Sequence, residues 1–257
     1  MGILIDLREN IGMRNSGAPR LWELDFLRGI AIVSMVTLHA LVDFSLLGGT
    51  PILTTGLRYY WQRVTAILFL VIFGIGAGLS YSKSKLPAKG RFRSWLQKGL
   101  ILWGWGMVIT LTTAIFFKER FVVFGILHLM GISSVLVYPC LSLKYLNLPL
   151  GVLIILAGNY LSGYRFRFVW LAWLGLIPEG FCSIDYFPVF PWSGYILIGI
   201  FIGFWIYPNG KRRFGLKEYP VNPIIKNLSS LGQKSLLVYL VHQPLLLAFA
   251  YTVNRIF

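Results

Sequence analysis

Repeatedly along this chain of 257 residues an apolar run continues for about the ~20 residues a helix needs to cross a bilayer. Seven such runs are legible, at 27–48, 60–81, 96–117, 121–142, 147–163, 187–207 and 232–253. No other feature narrows the choice of folds so far. In lipid every backbone N–H and C=O must find a partner, and a run of this length finds them within itself only as an α-helix. With 56% hydrophobic and 13% charged residues, the chain carries more apolar surface than a soluble domain of its length can hide. The expected fold class is an all-α polytopic membrane protein, a bundle of about seven transmembrane helices forming a single domain over 1–257. One further stretch, "FVWLAWLGL" at 168–176, is too short to cross and is bounded by Arg167 and "PEG". It reads as a short interfacial helix on the outer face, its tryptophans at headgroup level. The polar segment 1–20 shows no cleavable signal, so the first run is expected to act as its own insertion signal.

The net charge of +15 would suggest a nucleic-acid partner in a soluble protein. Here the basic residues gather in a few loops, the pattern that orients a protein in its membrane, and no nucleic-acid partner is expected. With the N-terminus inside, 17 of the 24 Lys and Arg residues fall on inner segments, mainly 8–28, 83–98 and 211–234. The expected placement is therefore the cell membrane, with the N-terminus cytoplasmic and the C-terminus outside. Cys140 and Cys182 are too few for a disulfide framework and fall on opposite faces, so both are expected as free thiols. No metal-ligand spacing is present, and no metal is expected.

Charged and titratable residues inside these runs are the next constraint, because placing one at mid-bilayer costs at least ~2.5–3.5 kcal/mol. All three histidines of the chain lie within runs: His39 in the first, His128 in the fourth, His242 in the last. In "RLWELDFLRGIAIVSMVTLHALVDF" steps of three and four connect Asp25, Arg28, Ile32, Met35, His39 and Asp43, so the polar groups line one stripe. That stripe must face protein or water. Asp43, one turn beyond His39, is placed to accept the imidazole N–H, fixing its tautomer and raising the basicity of the other nitrogen. Asp25 and Arg28 form an i, i+3 pair at the inner boundary. His39 lies ~16 Å further along the axis than Arg28 at helical rise.

Other stretches repeat the theme. "VFGILHLMGISS" sets Gly125, His128 and Gly131 on neighbouring turns, where small residues let helices approach. "SLLVYLVHQPLL" places Tyr239 and His242 one turn apart, followed by Gln243 and Pro244. The proline leaves the Leu240 carbonyl without its helical donor. In "SIDYFPVFPWSGYILIG", Asp185, two prolines and Trp192 form a stiff entry to a helix, read as the wall of an outer mouth.

Taken together, "RLWELDFLRGIAIVSMVTLHALVDF", "FGILHLMGISSVL", "DYFPVFPWSGYILIGIFIG" and "LGQKSLLVYLVHQPLL" resemble the compact prokaryotic relatives of heparan-α-glucosaminide N-acetyltransferase, over about residues 20 to 250. The family belongs among the transmembrane acyltransferases. The resemblance implies transfer of an acetyl group from acetyl-CoA to an amine or hydroxyl of a glycan or lipid-linked sugar. On this reading Asp25, Arg28, Arg91 and Arg93 bind the donor at the inner mouth. His39, oriented by Asp43, acts as general base or as a nucleophile, and His242 or His128 donates to the carbonyl oxygen. Asp185, Trp192, Tyr239 and Gln243 contact the acceptor. In the eukaryotic enzyme the catalytic histidine follows the first helix, whereas His39 lies inside it, so its role is carried over by chemistry and approximate position.

Two other classes retain intramembrane histidines: a proton-coupled transporter with His and Asp as relay groups, and a non-enzymatic membrane component that uses them for packing. A second copy of the chain is left open as a partner.

Overall fold

The structure, a computed structural model, describes residues 21–48, 53–116, 121–215 and 222–256. The segment 1–20, expected to be polar and to precede the first span, lies outside the described residues. Among the described residues eight α-helices follow one another: α1 (Trp22–Gly48), α2 (Thr55–Lys83), α3 (Ala88–Phe116), α4 (Ile126–Leu136), α5 (Asn147–Leu161), α6 (Val189–Ile206), α7 (Pro223–Gln233) and α8 (Ser235–Ile256). Three 3-10 segments lie between them, at Pro139–Leu146, Ala172–Leu174 and Pro208–Gly210. Among the described residues there is no strand, only isolated bridges between Phe124 and Tyr186 and between Phe166 and Pro178.

Among the described residues six helical stretches are long and apolar enough to cross a membrane: Trp22–Ser45, Thr55–Lys83, Ala88–Phe116, Pro139–Leu161, Val189–Ile206 and Ser235–Val253. The chain is an all-α, polytopic integral membrane protein. The fourth run departs from its expected bounds of 121–142. Its helix, α4, has 11 residues, ~16 Å at helical rise and about half of a hydrocarbon core. The residues before it are not helical. The Val123 N–H donates to Ser183 Oγ (3.1 Å) and the Phe187 N–H to the Phe124 carbonyl (2.8 Å), so this backbone is paired to a loop rather than to itself. After α4, Pro139 opens a 3-10 segment that leads into α5. The interfacial helix expected at 168–176 also shrinks, to the 3-10 turn Ala172–Leu174, with Trp170 exposed beside it.

Contacts divide the chain into two compact units, one formed by Pro19–Ile72 with Leu216–Phe257 and one containing Phe73–Gly215. In the first, α7 runs against the start of α1. A Cβ at Gly29 would collide with the Leu228 carbonyl, and one at Gly232 with the Asp25 carbonyl, so both positions exclude a side chain. Ser34 and Thr65 share a hydrogen bond (2.8 Å) and the Trp61 indole N–H donates to Ser34 (2.8 Å), tying α1 to the first part of α2. Phe44 meets Phe249 edge to face at 6.0 Å, joining α1 to α8.

In the second unit the core is built on Leu129, Leu141, Ile196, Leu197 and Ile200, all fully buried. Close backbone approach holds it together: Gly99 faces the Gly131 carbonyl between α3 and α4, and Gly151 faces the Gly194 carbonyl between α5 and α6. Dispersion attraction and shape, rather than water exclusion, drive such packing in lipid, which is why small residues mark the seams.

Candidate functional site

In the first unit α1 and α8 bring four of the expected site residues together. His242 sits on α8, 8% exposed, and its Nδ1 lies 2.7 Å from the Tyr239 carbonyl. A carbonyl only accepts, so Nδ1 carries the proton and Nε2 of neutral His242 is a lone pair. That lone pair lies 3.1 Å from Nδ1 of His39, which must therefore donate to it. The Met35 carbonyl, one turn back on α1, lies within hydrogen-bonding reach of the same ring. The proton of His39 is thus held on Nδ1 and its Nε2 is left as the basic nitrogen. The two rings stand 5.0 Å apart between centroids.

Here the structure corrects an expected contact. Asp43 does not accept from His39. Its carboxylate, 5% exposed, takes both oxygens to the side-chain amide of Gln243, at 3.1 and 3.0 Å. The neighbours His242 and Gln243 on α8 therefore meet His39 and Asp43, one turn apart on α1. Gln243 Oε1 is buried and has no hydrogen-bond partner, an acceptor waiting for an N–H or O–H that the fold does not supply. The helix runs through Pro244 without interruption. At the start of α1, Arg28 Nη1 donates to Asp25 Oδ1 at 3.0 Å. Asp25 is buried there while Arg28 is about one third exposed.

The second unit holds the remaining expected residues. His128 is buried, and both of its nitrogens are used locally. Nδ1 accepts from the Gly125 N–H (3.2 Å) at the start of α4, so Nε2 carries the proton and faces Thr110 Oγ1 (3.4 Å). Thr110 passes its own hydroxyl hydrogen to the Val122 carbonyl (2.7 Å). That arrangement leaves neither nitrogen for a substrate carbonyl, the role expected of it. Asp185 bonds the Ile126 N–H at the first turn of α4, and burial pushes its carboxyl up to about 7 against that bond, which favours the charged form. Trp192 is 6% exposed and packs edge to face on Phe187 (4.7 Å), in the core of its unit rather than on a wall facing solvent. Arg93 is exposed. Arg91 stacks its guanidinium 4.7 Å over the Tyr81 ring, at the edge of a cavity.

A four-residue cluster of two imidazoles, a carboxylate and an amide, with one free basic nitrogen and one orphaned acceptor, is equipped for proton transfer to or from a bound hydroxyl or amine. Across residues 20–244 the sequence matches the family model described as heparan-alpha-glucosaminide N-acetyltransferase, catalytic. The chain belongs to that family. The matched span takes in α1 through the Pro244 turn of α8, and so includes all four members of the cluster. Heparan-alpha-glucosaminide N-acetyltransferase family membership makes it a membrane acyltransferase in broad class. No curated protein and no solved structure matches the chain.

Two features of the sites were not read from the sequence. The direct His39–His242 contact joins residues 203 apart in the chain, and nothing in either helix's own periodicity reports it. Lys144 and Asn209 on the cavity wall are likewise not among the expected site residues, although "NG" at 209–210 is a local signal of a turn.

Proposed function

We propose that this protein transfers an acetyl group from acetyl-CoA to an amine or hydroxyl of a glycan or lipid-linked sugar, with His39 as the general base. The observation that carries the reading is the proton order of the cluster: the Tyr239 carbonyl fixes His242, His242 fixes His39, and His39 Nε2 remains unprotonated. In the reaction the acceptor N–H or O–H donates to His39 Nε2 while its heteroatom attacks the thioester carbonyl. The tetrahedral intermediate then collapses, the C–S bond breaks, and the imidazolium returns the proton to the departing CoA thiolate. Gln243, held through its amide nitrogen by Asp43, offers Oε1 as a second acceptor, for the other N–H of an incoming amine or for a neighbouring hydroxyl of an incoming sugar. Arg28, at the inner start of α1, supplies positive charge for the donor, with the N-terminus in the cytoplasm where CoA is made.

The test uses full-length protein in nanodiscs, radiolabelled acetyl-CoA and a panel of amino and neutral sugars, free and lipid-linked, read by mass spectrometry of products. Acetylated sugar that requires the protein supports the reading. Failure of every acceptor to gain label, with the donor intact, would overturn it.

A further inference from the structure

We propose that a cavity of about 410 Å³ in the second unit, lined by Arg91, Lys144, Ser84, Asn209 and three aromatic rings, is a recognition site for a phosphate ester. Its lining holds two cations and no carboxylate. Arg91 enters from the first turn of α3 and lies over Tyr81, yet its Nε is buried with no hydrogen-bond partner. An unsatisfied buried donor is normally avoided, the more so on a charged group. A ligand that supplies acceptor oxygens at that point removes the deficit. A guanidinium is matched to such oxygens by its planar fork of donors.

The backbone supports the same reading independently. Among the described residues the non-glycine positions with positive φ are Lys144 (φ 46°) and Asn209 (φ 53°), and both lie on this cavity. For a lysine that conformation is strained and persists only where the surroundings impose it. Asn147 imposes it: fully buried, it donates from Nδ2 to the carbonyls of Lys144 and Cys140, each at 2.8 Å. A buried asparagine thus holds a strained turn that sets a lysine on the same cavity as an arginine whose Nε lacks a partner. The Ser84 hydroxyl accepts from the Leu86 N–H (3.4 Å), so its own hydrogen is available to an anion.

Size and surface refine the ligand class. The volume lies in the ~300–1,000 Å³ range of small-molecule sites and exceeds what a bare phosphate ion requires. Tyr81, Tyr145 and Phe204 add flat apolar surface, so the ligand joins a phosphate to a ring or an acyl portion. Two sources share that chemistry: the nucleotide end of a CoA-type donor and the headgroup of an anionic phospholipid. The first source rests on the proposed function above, and the site itself does not.

Direct binding tests the site without any transfer step. Full-length protein is purified and placed in phosphatidylcholine nanodiscs, and binding is measured for radiolabelled CoA, for adenosine 3′,5′-bisphosphate as competitor, and for phosphatidylglycerol retained in native mass spectra. Arg91→Gln and Lys144→Gly are compared with Arg165→Gln, an exposed charge outside the cavity. Glycine tolerates positive φ, so Lys144→Gly removes the ammonium group without opposing the backbone. Both cavity variants are expected to weaken anion binding at least ~10-fold while Arg165→Gln does not, and Lys144→Gly is expected to melt no lower than the parent. Loss confined to CoA and the bisphosphate identifies the donor's nucleotide; loss confined to phosphatidylglycerol identifies a lipid. Unchanged binding of both in well-folded cavity variants overturns the proposal. A protein that binds through these residues yet transfers no acetyl group leaves the site standing and removes the proposed function alone.

Discussion

The proton order of the cluster predicts an asymmetry between its two histidines. If His39 is the base, His39→Ala removes the group that takes the proton, and a positioned base accounts for ~10²–10⁴-fold in rate. His242 never touches the acceptor in this scheme. It holds the His39 proton on Nδ1 through one neutral hydrogen bond of 3.1 Å. His242→Leu removes that acceptor and leaves the His39 ring only the Met35 carbonyl, at no more than ~1–3 kcal/mol, or at most roughly 150-fold. The double variant should be no slower than His39→Ala, because an orienting residue has nothing left to orient. Asp43→Asn should cost about the value of a charge-assisted bond, ~1.5–3 kcal/mol, because only the charged acceptor is lost. The assay is steady-state acetyl transfer in nanodiscs, with kcat and KM separated and size-exclusion profiles to certify folding. All losses should fall in kcat with donor affinity unchanged. The reasoning is refuted if His242→Leu is slower than His39→Ala, or if well-folded His39→Ala retains near-native turnover.

Two further perturbations address topology and electrostatics. Cys182 is an exposed free thiol on the loop before α6; in a Cys140→Ala background an impermeant maleimide should label it on intact cells, and a cysteine at Ser84 only after permeabilisation. Labelling at position 84 from outside would reverse the orientation. Asp185 carries a carboxyl raised by burial to about 7 from an ordinary value near 3.8, so its contribution is full below about pH 3.8 and is lost as pH rises through 7. Asp185→Asn, which retains an acceptor for the Ile126 N–H, should therefore melt higher than the parent at pH 8 and equal to it near pH 4. The same difference at both pH values would show that the carboxyl does not titrate in this range.

Much of the architecture was legible in the chain because bilayer length and backbone hydrogen bonding leave a run of apolar residues few alternatives. That argument weakens where another backbone competes. Residues 121–125 are apolar enough to extend a helix, yet they are not helical, and the loop at 183–187 offers their backbone partners. Apolarity alone does not distinguish a helix from a strand-like segment when the pairing comes from sixty residues away. The tryptophans of 168–176 were read in the same way, by composition, and tertiary contacts left one 3-10 turn there.

The sequence by itself determined that three histidines and two aspartates lie in or beside apolar helices, that His39 and Asp43 share one stripe of α1, and to which family the chain belongs. Tertiary structure alone decided their partners. Periodicity reports which residues of a helix lie on one face, but not which helix that face meets or at what height. His39 found His242 and Asp43 found Gln243 because α8 presents two consecutive residues at the level of one turn of α1. The same holds for Lys144. Its identity was readable as one basic residue between two apolar runs, but its left-handed backbone, and hence the cavity it serves, arises from the buried Asn147 amide bonding two carbonyls at once. Local propensity sets what each segment can be, whereas the direction of a side chain's proton or charge is set by whichever neighbour the packing supplies.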